Sequence, residues 1–453
     1  MSGKRRAIEA DTSIGFIDSH LLGNASSMRA WLRDLFIEDG HGLYYLAFAL
    51  YSVWSWLNRT TIWSIESMPA ISIVENMIQL SILALLAISF LKQRATRGEW
   101  VLALLTLCLG FTVWLISDEG WFFWIIIFVV CGKGARLLPL AVISLMSVLV
   151  VTVLSFGLSS FGVIEDKIIV RESSEEARHS MGFEHPNSFG AALLVITISL
   201  TVVCWHKKTA VLVVVTLAAS YLSAIVADSR TTSLCLVAMA VILPVIKLAE
   251  KKKGALQACA SLLLGLVVLM VVVSIFLGVF YDPSRSVDVF LDRLFSGRIR
   301  LANAYYENGG LTLFGYNYPA GPMYWTGIEE CNFVVDNLYA HILLRYGLVA
   351  FILFVIAVVL LLVKMIRRGS SGALLFGIGM FLIYGLSETF GFRVECDFFI
   401  IALWTVLYRC PVNQFDDRAN YVGVQKGVPS NREELSLGDC IKSVCRFRGL
   451  SND

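Results

Sequence analysis

The chain is short of charge. Only 16% of its 453 residues are Asp, Glu, Lys or Arg, against roughly 25% in soluble domains, which argues against a cytosolic globular enzyme. Paired cysteines are also missing. The ten cysteines include no C-x-x-C, so zinc and redox motifs lack support. Most of them, such as Cys108, Cys204, Cys235 and Cys259, lie inside apolar runs as small hydrophobes. The start lacks a secretory-signal pattern: Lys4, Arg5 and Arg6 lead into polar sequence, and no apolar core begins before Leu43. No internal repeat of fixed period is visible, which weakens an inverted-repeat transporter. A net charge of +2 says nothing of a nucleic-acid partner, and none is expected.

Apolar residues, 57% of the chain, come in blocks of about 17–25, the length that crosses a bilayer core of about 30 Å. This predicts an all-α polytopic membrane protein with about twelve spans: 42–57, 68–91, 99–117, 120–131, 135–158, 188–205, 209–226, 231–248, 255–281, 338–363, 371–388 and 396–409. The fourth is short enough to be re-entrant. Charge alternation favours a crossing, because with both termini inside the even loops hold Lys92, Arg94, Arg97, Lys133, Arg136, Lys207, Lys208, Lys247 and Lys251 to Lys253. The short outer loops hold only Arg59, Arg230 and Arg393. Residues 1–41 form a cytoplasmic segment in which Met28, Trp31, Leu32, Leu35 and Phe36 recur at helical spacing, as in an interfacial helix. Residues 42–409 form the transmembrane domain, and 410–453 a polar cytoplasmic tail.

Two outer loops, 159–187 and 282–337, are long in an otherwise economical chain, and such segments usually carry function. The first contains Arg171, Arg178, His179, Glu184 and His185 and ends in Pro186-Asn187-Ser188. Pro186 forces His185 to be extended, and Asn187 or Ser188 can cap the next helix. The residues then read either as a site held over the membrane or as a cap beneath a solvated loop. In the second loop Ser296 can cap a helix that presents Arg298 on its first turn, with Leu301, Ala304 and Tyr305 on its apolar side. Guanidinium groups at a helix start suit a phosphate, although Arg293, Arg298 and Arg300 could equally contact lipid headgroups. Tyr316, Tyr318, Tyr324 and Trp325 fit an interfacial belt or a sugar-stacking surface. Asp336, His341 and Arg345 roughly share a helical face at the tenth span. Ionisable groups there cost about 2.5–3.5 kcal/mol each at mid-bilayer unless they face a polar cavity or a partner. Glu75 and Glu388 are candidate partners for Arg345.

At GFEHPNSFG (182–190), DSRTT (228–232), FSGRIRLANAYY (295–306) with TLFG (312–315), and VDNLYAHILLRYGL (335–348), the chain resembles the O-antigen polymerase and ligase superfamily of Wzy-like membrane glycosyltransferases. These segments occur in the family's order, and the resemblance covers roughly residues 40–410. It implies a GT-C-like fold in a bacterial inner membrane and an outward-facing site. The implied reaction polymerises undecaprenyl-diphosphate-linked repeat units into capsular, exo- or O-antigen polysaccharide. It also implies membrane lipids, a flippase and a chain-length regulator as partners. No cofactor or metal is called for, and the outer loops hold no DxD-like carboxylate pair.

In that reading Arg178, Arg230, Arg298 and Arg345 hold the diphosphate. His185, Asp336 or His341 supplies the base, and Tyr316, Trp325 and Asn337 meet sugar. Ligases of the family carry a His where Val335 stands, which favours the polymerase, although Asn337 and Gly347 keep the ligase spacing. Arg293 and Gly309 match a spacing described for polymerases, but Arg298 sits in the better local motif. A ligase, a flippase or transporter, and a peptidoglycan polymerase of the SEDS type remain as alternatives.

Overall fold

The computed structural model of the protein describes residues 41–64, 69–170, 177–318, 321–323, 328–331 and 335–416. The predicted interfacial segment at 28–36, Trp325, and positions 417–453 of the tail lie outside the described residues. The chain runs through α1 (Gly42–Leu57), α2 (Pro69–Lys92), α3 (Arg97–Ser117), α4 (Trp121–Cys131) and α5 (Leu137–Ser160) into a hairpin of β1 (Ile168–Val170) and β2 (Ala177–His179). It continues through α6 (Pro186–Val203), α7 (Thr209–Ala227), α8 (Arg230–Glu250) and α9 (Ala255–Phe280), then α10 (Ser286–Leu294) and α11 (Arg298–Gly309). A second hairpin, β3 (Gly321–Met323) and β4 (Ile328–Cys331), precedes α12 (Leu338–His341), which passes through a π-turn at Ile342–Tyr346 into α13 (Gly347–Arg368). After α14 (Gly372–Tyr384), a 3₁₀ run at Phe398–Leu403 leads into α15 (Trp404–Leu407).

Eight of these helical stretches are long and apolar enough to cross a membrane: most of α2, then α3, α5 to α9, and the continuous stretch Leu338–Arg368. The protein is therefore a membrane-embedded helical protein. The other four predicted spans are helical but short. Three of them, α1, α4 and α14, have 16, 11 and 13 residues, and the fourth is Phe398–Leu407. At 1.5 Å per residue α4 rises only about 16 Å. Its neighbours explain why it need not match a bilayer: Phe122, Trp124, Ile125, Phe128 and Val130 are all buried against protein. By contrast α2, α3, α7 and α9 turn Leu80, Leu105, Val214 and Leu262 outward. These apolar surfaces suit lipid rather than water.

Contacts separate the bundle into two ends. At one end Gln93 donates to the carbonyl of Cys131, Trp205 and the Gly372 amide both donate to Glu250, and Lys364 donates to the carbonyls of Thr405 and Cys410. At the other, Thr60 bridges Phe183 and Arg178 reaches the end of α7 at Ala227. There too Arg298 meets Glu388, and Arg345 meets Glu119. Short as it is, α4 carries the chain from the second end, at Glu119, toward the first, at Cys131.

Close packing needs glycine where α13 starts. The loop 312–316 docks against it, with Leu348 and Val349 amides donating to the carbonyls of Thr312 (2.8 Å) and Leu313 (3.1 Å) and the Tyr316 amide to that of Arg345 (3.1 Å). Gly347 has φ +85°, and a Cβ there would lie 2.7 Å from the Leu313 carbonyl oxygen. Gly369, at φ +77°, has open space around it. Gly347→Ala is therefore expected to cost on the order of 1–3 kcal/mol of stability through backbone strain plus the clash, and Gly369→Ala the strain alone. Melting of the purified protein in detergent checks this: the Gly347 variant should unfold at the lower temperature.

Candidate functional site

The β1–β2 hairpin pairs Arg178 with Ile169 and drives the Arg178 side chain inward, leaving it 7% exposed. A buried guanidinium needs acceptors. Its Nε donates to the Ala227 carbonyl at 3.0 Å and its Nη2 to Asn187 Oδ1 at 2.7 Å. Asn187 Nδ2 in turn donates to Glu388 Oε1 at 3.4 Å. Asn187 is thus drawn into a side-chain relay, and the N-cap of α6 is His185, not Asn187 or Ser188. His185 is extended (φ −148°, ψ 143°), as Pro186 requires, and its Nδ1 accepts from the Asn187 amide at 3.0 Å. Burial, and then the charge of Arg178, hold its pKa below the ordinary histidine value. The neutral ring is the form that can accept this bond.

Between α10 and α11 the chain turns through two left-handed residues, Ser296 (φ +57°) and Gly297 (φ +83°). Gly297 is the N-cap of α11, so Ser296 does not cap it. Asp292 takes that work: its Oδ1 accepts from the Arg300 amide at 2.9 Å and its carbonyl from the Gly297 amide at 2.8 Å. This elbow delivers Arg298 as the first residue of α11. Its Nη2 lies 3.1 Å from Glu388 Oε1 and 3.5 Å from Asp336 Oδ2. Its Nε is buried and has no hydrogen-bond partner among the described residues. Arg293 and Arg300 point to the exposed side.

Glu388 lies past the end of α14 and its side chain is only 3% exposed. Burial first, and the neighbouring Asp336 charge second, push its pKa above the usual carboxylate range, against the opposing pull of Arg298 and Arg178. Burial likewise raises Asp336, with Arg298 opposing. With Glu388 pushed up to about 8, two arginines face Asp336 as the remaining carboxylate near neutral pH, so the cluster keeps surplus positive charge. Such a cluster invites an anion.

The predicted alignment of Asp336, His341 and Arg345 does not form. Asp336 precedes the N-cap Asn337 and so lies off the helix, while the π-turn at Ile342–Tyr346 re-aims Arg345. His341 and Arg345 instead approach Glu119, at 3.6 and 3.0 Å. The ion pair that Arg345 forms among the described residues is thus with Glu119, where Glu75 or Glu388 was expected. His341 stacks nearly parallel on Trp121 with centroids 5.4 Å apart, and Arg393 lies 3.2 Å from the centroid of the same ring. Sequence reasoning did not single out Glu119, and it missed the bridging role of Asn187. The available signal for Glu119 was a charged Asp118-Glu119 pair between two strongly apolar runs.

The remaining predicted residues make other contacts. Arg230 is 3.5 Å from Asp228 with 61% of its side chain exposed. Tyr316 packs edge-on to Tyr318, which packs edge-on to Tyr305. Asn337 spends both amide hydrogens on Ser274 Oγ and the Leu386 carbonyl, each at 3.0 Å, and its Oδ1 caps α12 at the Ala340 amide. It is a tie between α9, α12 and the segment after α14.

Arg298 and Asn337 also head a groove between α9 and α11, walled by Leu277, Gly278, Ile299 and Ala302. The space is small, about 30 Å³, and mostly apolar with one arginine in its wall. Among the described residues no three His, Cys, Asp or Glu side chains gather as a metal site. No protein-family model, no curated protein and no solved structure matches this chain.

A carboxyl that binds its proton more tightly in the folded chain contributes stability that is complete below the ordinary carboxylate pKa and is lost as pH rises through the raised one. Glu388 and Asp336 are both of this kind. The melting temperature of the wild type in detergent should fall between about pH 5 and pH 9, and Glu388→Gln should flatten that fall. Parallel wild-type and variant profiles would remove these carboxyls as the cause.

Proposed function

We propose that the chain is a membrane glycosyltransferase that polymerises lipid-diphosphate-linked oligosaccharide units into a cell-envelope polysaccharide. The observation that carries this reading is the position of Arg298. It stands where an apolar groove meets a buried cluster with surplus positive charge. A polyprenyl chain would lie in the groove, and its diphosphate would meet Arg298, with Arg178 behind it through Asn187. The resemblance of 182–190, 228–232, 295–315 and 335–348 to Wzy-like enzymes points the same way.

In the transfer, an acceptor-sugar hydroxyl attacks the anomeric carbon of the donor glycan. The bond from that carbon to the phosphate oxygen breaks, and the lipid diphosphate leaves with the electron pair. Arginines stabilise the charge that develops on it. The hydroxyl proton goes to a base. Of His185, Asp336 and His341, Asp336 supports that role best. It lies beside Arg298, 31% of its side chain is open, and its raised pKa moves it toward the range in which a general base works well. His185 Nδ1 is occupied as a cap, and His341 is packed against Trp121.

Polymerase is favoured over ligase by position 335. The ligase His position holds Val335, 1% exposed in an apolar cluster with Ala302, Tyr305 and Leu344, a setting that would disfavour a working imidazole.

The test is the lipid-linked glycan profile, by mass spectrometry, of cells carrying variants that reach the membrane at wild-type levels. Arg298→Ala and Asp336→Asn should each leave single repeat units in place of polymer, with at least a hundredfold loss. His341→Gln should retain polymer. Normal chain length in the Arg298 variant would overturn the assignment. Long polymer still on its lipid in cells lacking the protein would make it a ligase, and single units trapped on the inner leaflet would make it a flippase.

A further inference from the structure

The proposed reaction makes no use of α10. It is a nine-residue helix whose Val287, Phe290 and Leu294 recur at i, i+3 and i+7. They form one apolar stripe, and each is about two-thirds exposed, at 64%, 65% and 66%. The other side of the helix is turned to the protein through buried Asp292. Arg285, 63% exposed, precedes the helix, and exposed Arg293 sits in its last turn.

What covers this stripe is decided by where α10 is attached. Its predecessor α9 is one of the membrane-crossing helices and turns Val272, Phe276 and Phe280 outward, 57%, 56% and 60% exposed. Only residues 281–285 separate the two helices, a reach of at most about 20 Å even if extended. The connection is in fact folded. The Asp282 amide donates to Asp288 Oδ2 at 3.0 Å and the Arg285 amide to the Asp282 carbonyl at 3.0 Å. The apolar stripe of α10 therefore starts beside the point where the lipid-facing side of α9 ends. A short amphipathic helix there, with arginines at both ends, matches the boundary of acyl chains and phosphate headgroups.

We propose that α10 lies on the phospholipid surface, with Val287, Phe290 and Leu294 in the acyl boundary and Arg285 and Arg293 at headgroup phosphates. Asp292 holds the far end of the same helix to the first turn of α11. The seat would thus fix the height of Arg298 relative to the bilayer. The inference does not depend on the proposed reaction.

The experiment is photocrosslinking in native membranes, with p-benzoylphenylalanine placed at Phe290 of the full chain, at Val287 in a second variant, and at Phe276 on α9 as a lipid-facing control. Each variant is first shown to reach the membrane at the wild-type level. Phospholipid adducts at Phe290 and Val287, in yield comparable to Phe276, are the expected result. Adducts to a second copy or to another protein, or no adduct at either α10 position while Phe276 captures lipid, would overturn it.

Discussion

A guanidinium inside an apolar helical bundle must meet counter-charge. Arg298 meets two carboxyl groups that reach it from distant parts of the chain, Glu388 after α14 and Asp336 before α12. Much of the surrounding arrangement comes from satisfying these three groups. Glu388 is buried and needs a second donor, which Asn187 supplies; Asn187 then needs a donor for its own oxygen, which is Arg178. Arg178 completes its bonding at the end of α7. A single buried relay thus ties the first hairpin, α6, α7, α11 and the segment after α14 into one surface. Its carboxyls sit above their ordinary pKa range because burial outweighs the arginines. The positive charge left over is what the proposed reaction would use to hold an anion.

A second ionic group lies beside the first and has a different character. Glu119, His341, Arg345, Trp121 and Arg393 interlock through ion pairs and stacked rings. They lie where the short helix α4 begins and where α12 gives way to the π-turn. Such turns open the regular helix ladder and let it re-aim side chains. Here the π-turn sends Arg345 to Glu119 and leaves Asp336 to Arg298. One group faces a groove and can receive a ligand, while the other braces the helices that shape it.

The membrane-embedded helical character was legible in the sequence because long apolar runs have few other solutions. The arginines of the 178–188 and 295–305 segments were legible too, since charges near apolar runs are conspicuous, but the carboxyl and amide groups they meet were not. Local capping was not. Ser296, Asn187 and Ser188 are all good N-cap residues in isolation. The fold reassigned the work to Asp292 and His185, because Asn187 was needed elsewhere and Ser296 lies in a left-handed turn. Length and hydropathy identify eight of the twelve predicted spans, and the other four are shorter apolar helices. An 11-residue apolar helix enclosed by protein has the same hydropathy as part of a membrane span.

By itself, then, the sequence determined the solvent this chain folds in, the helices that meet it, and the stretches where charge accumulates. Those properties depend on composition and period, which are local. Only the tertiary structure decided that Arg298 pairs with Glu388 and Asp336, that Arg345 pairs with Glu119, and that Asn187 bridges rather than caps. Partner choice among buried charges is set by which ends of the bundle are brought within a few ångströms. Desolvation then penalises every charge left without a partner, and sequence spacing cannot express either effect.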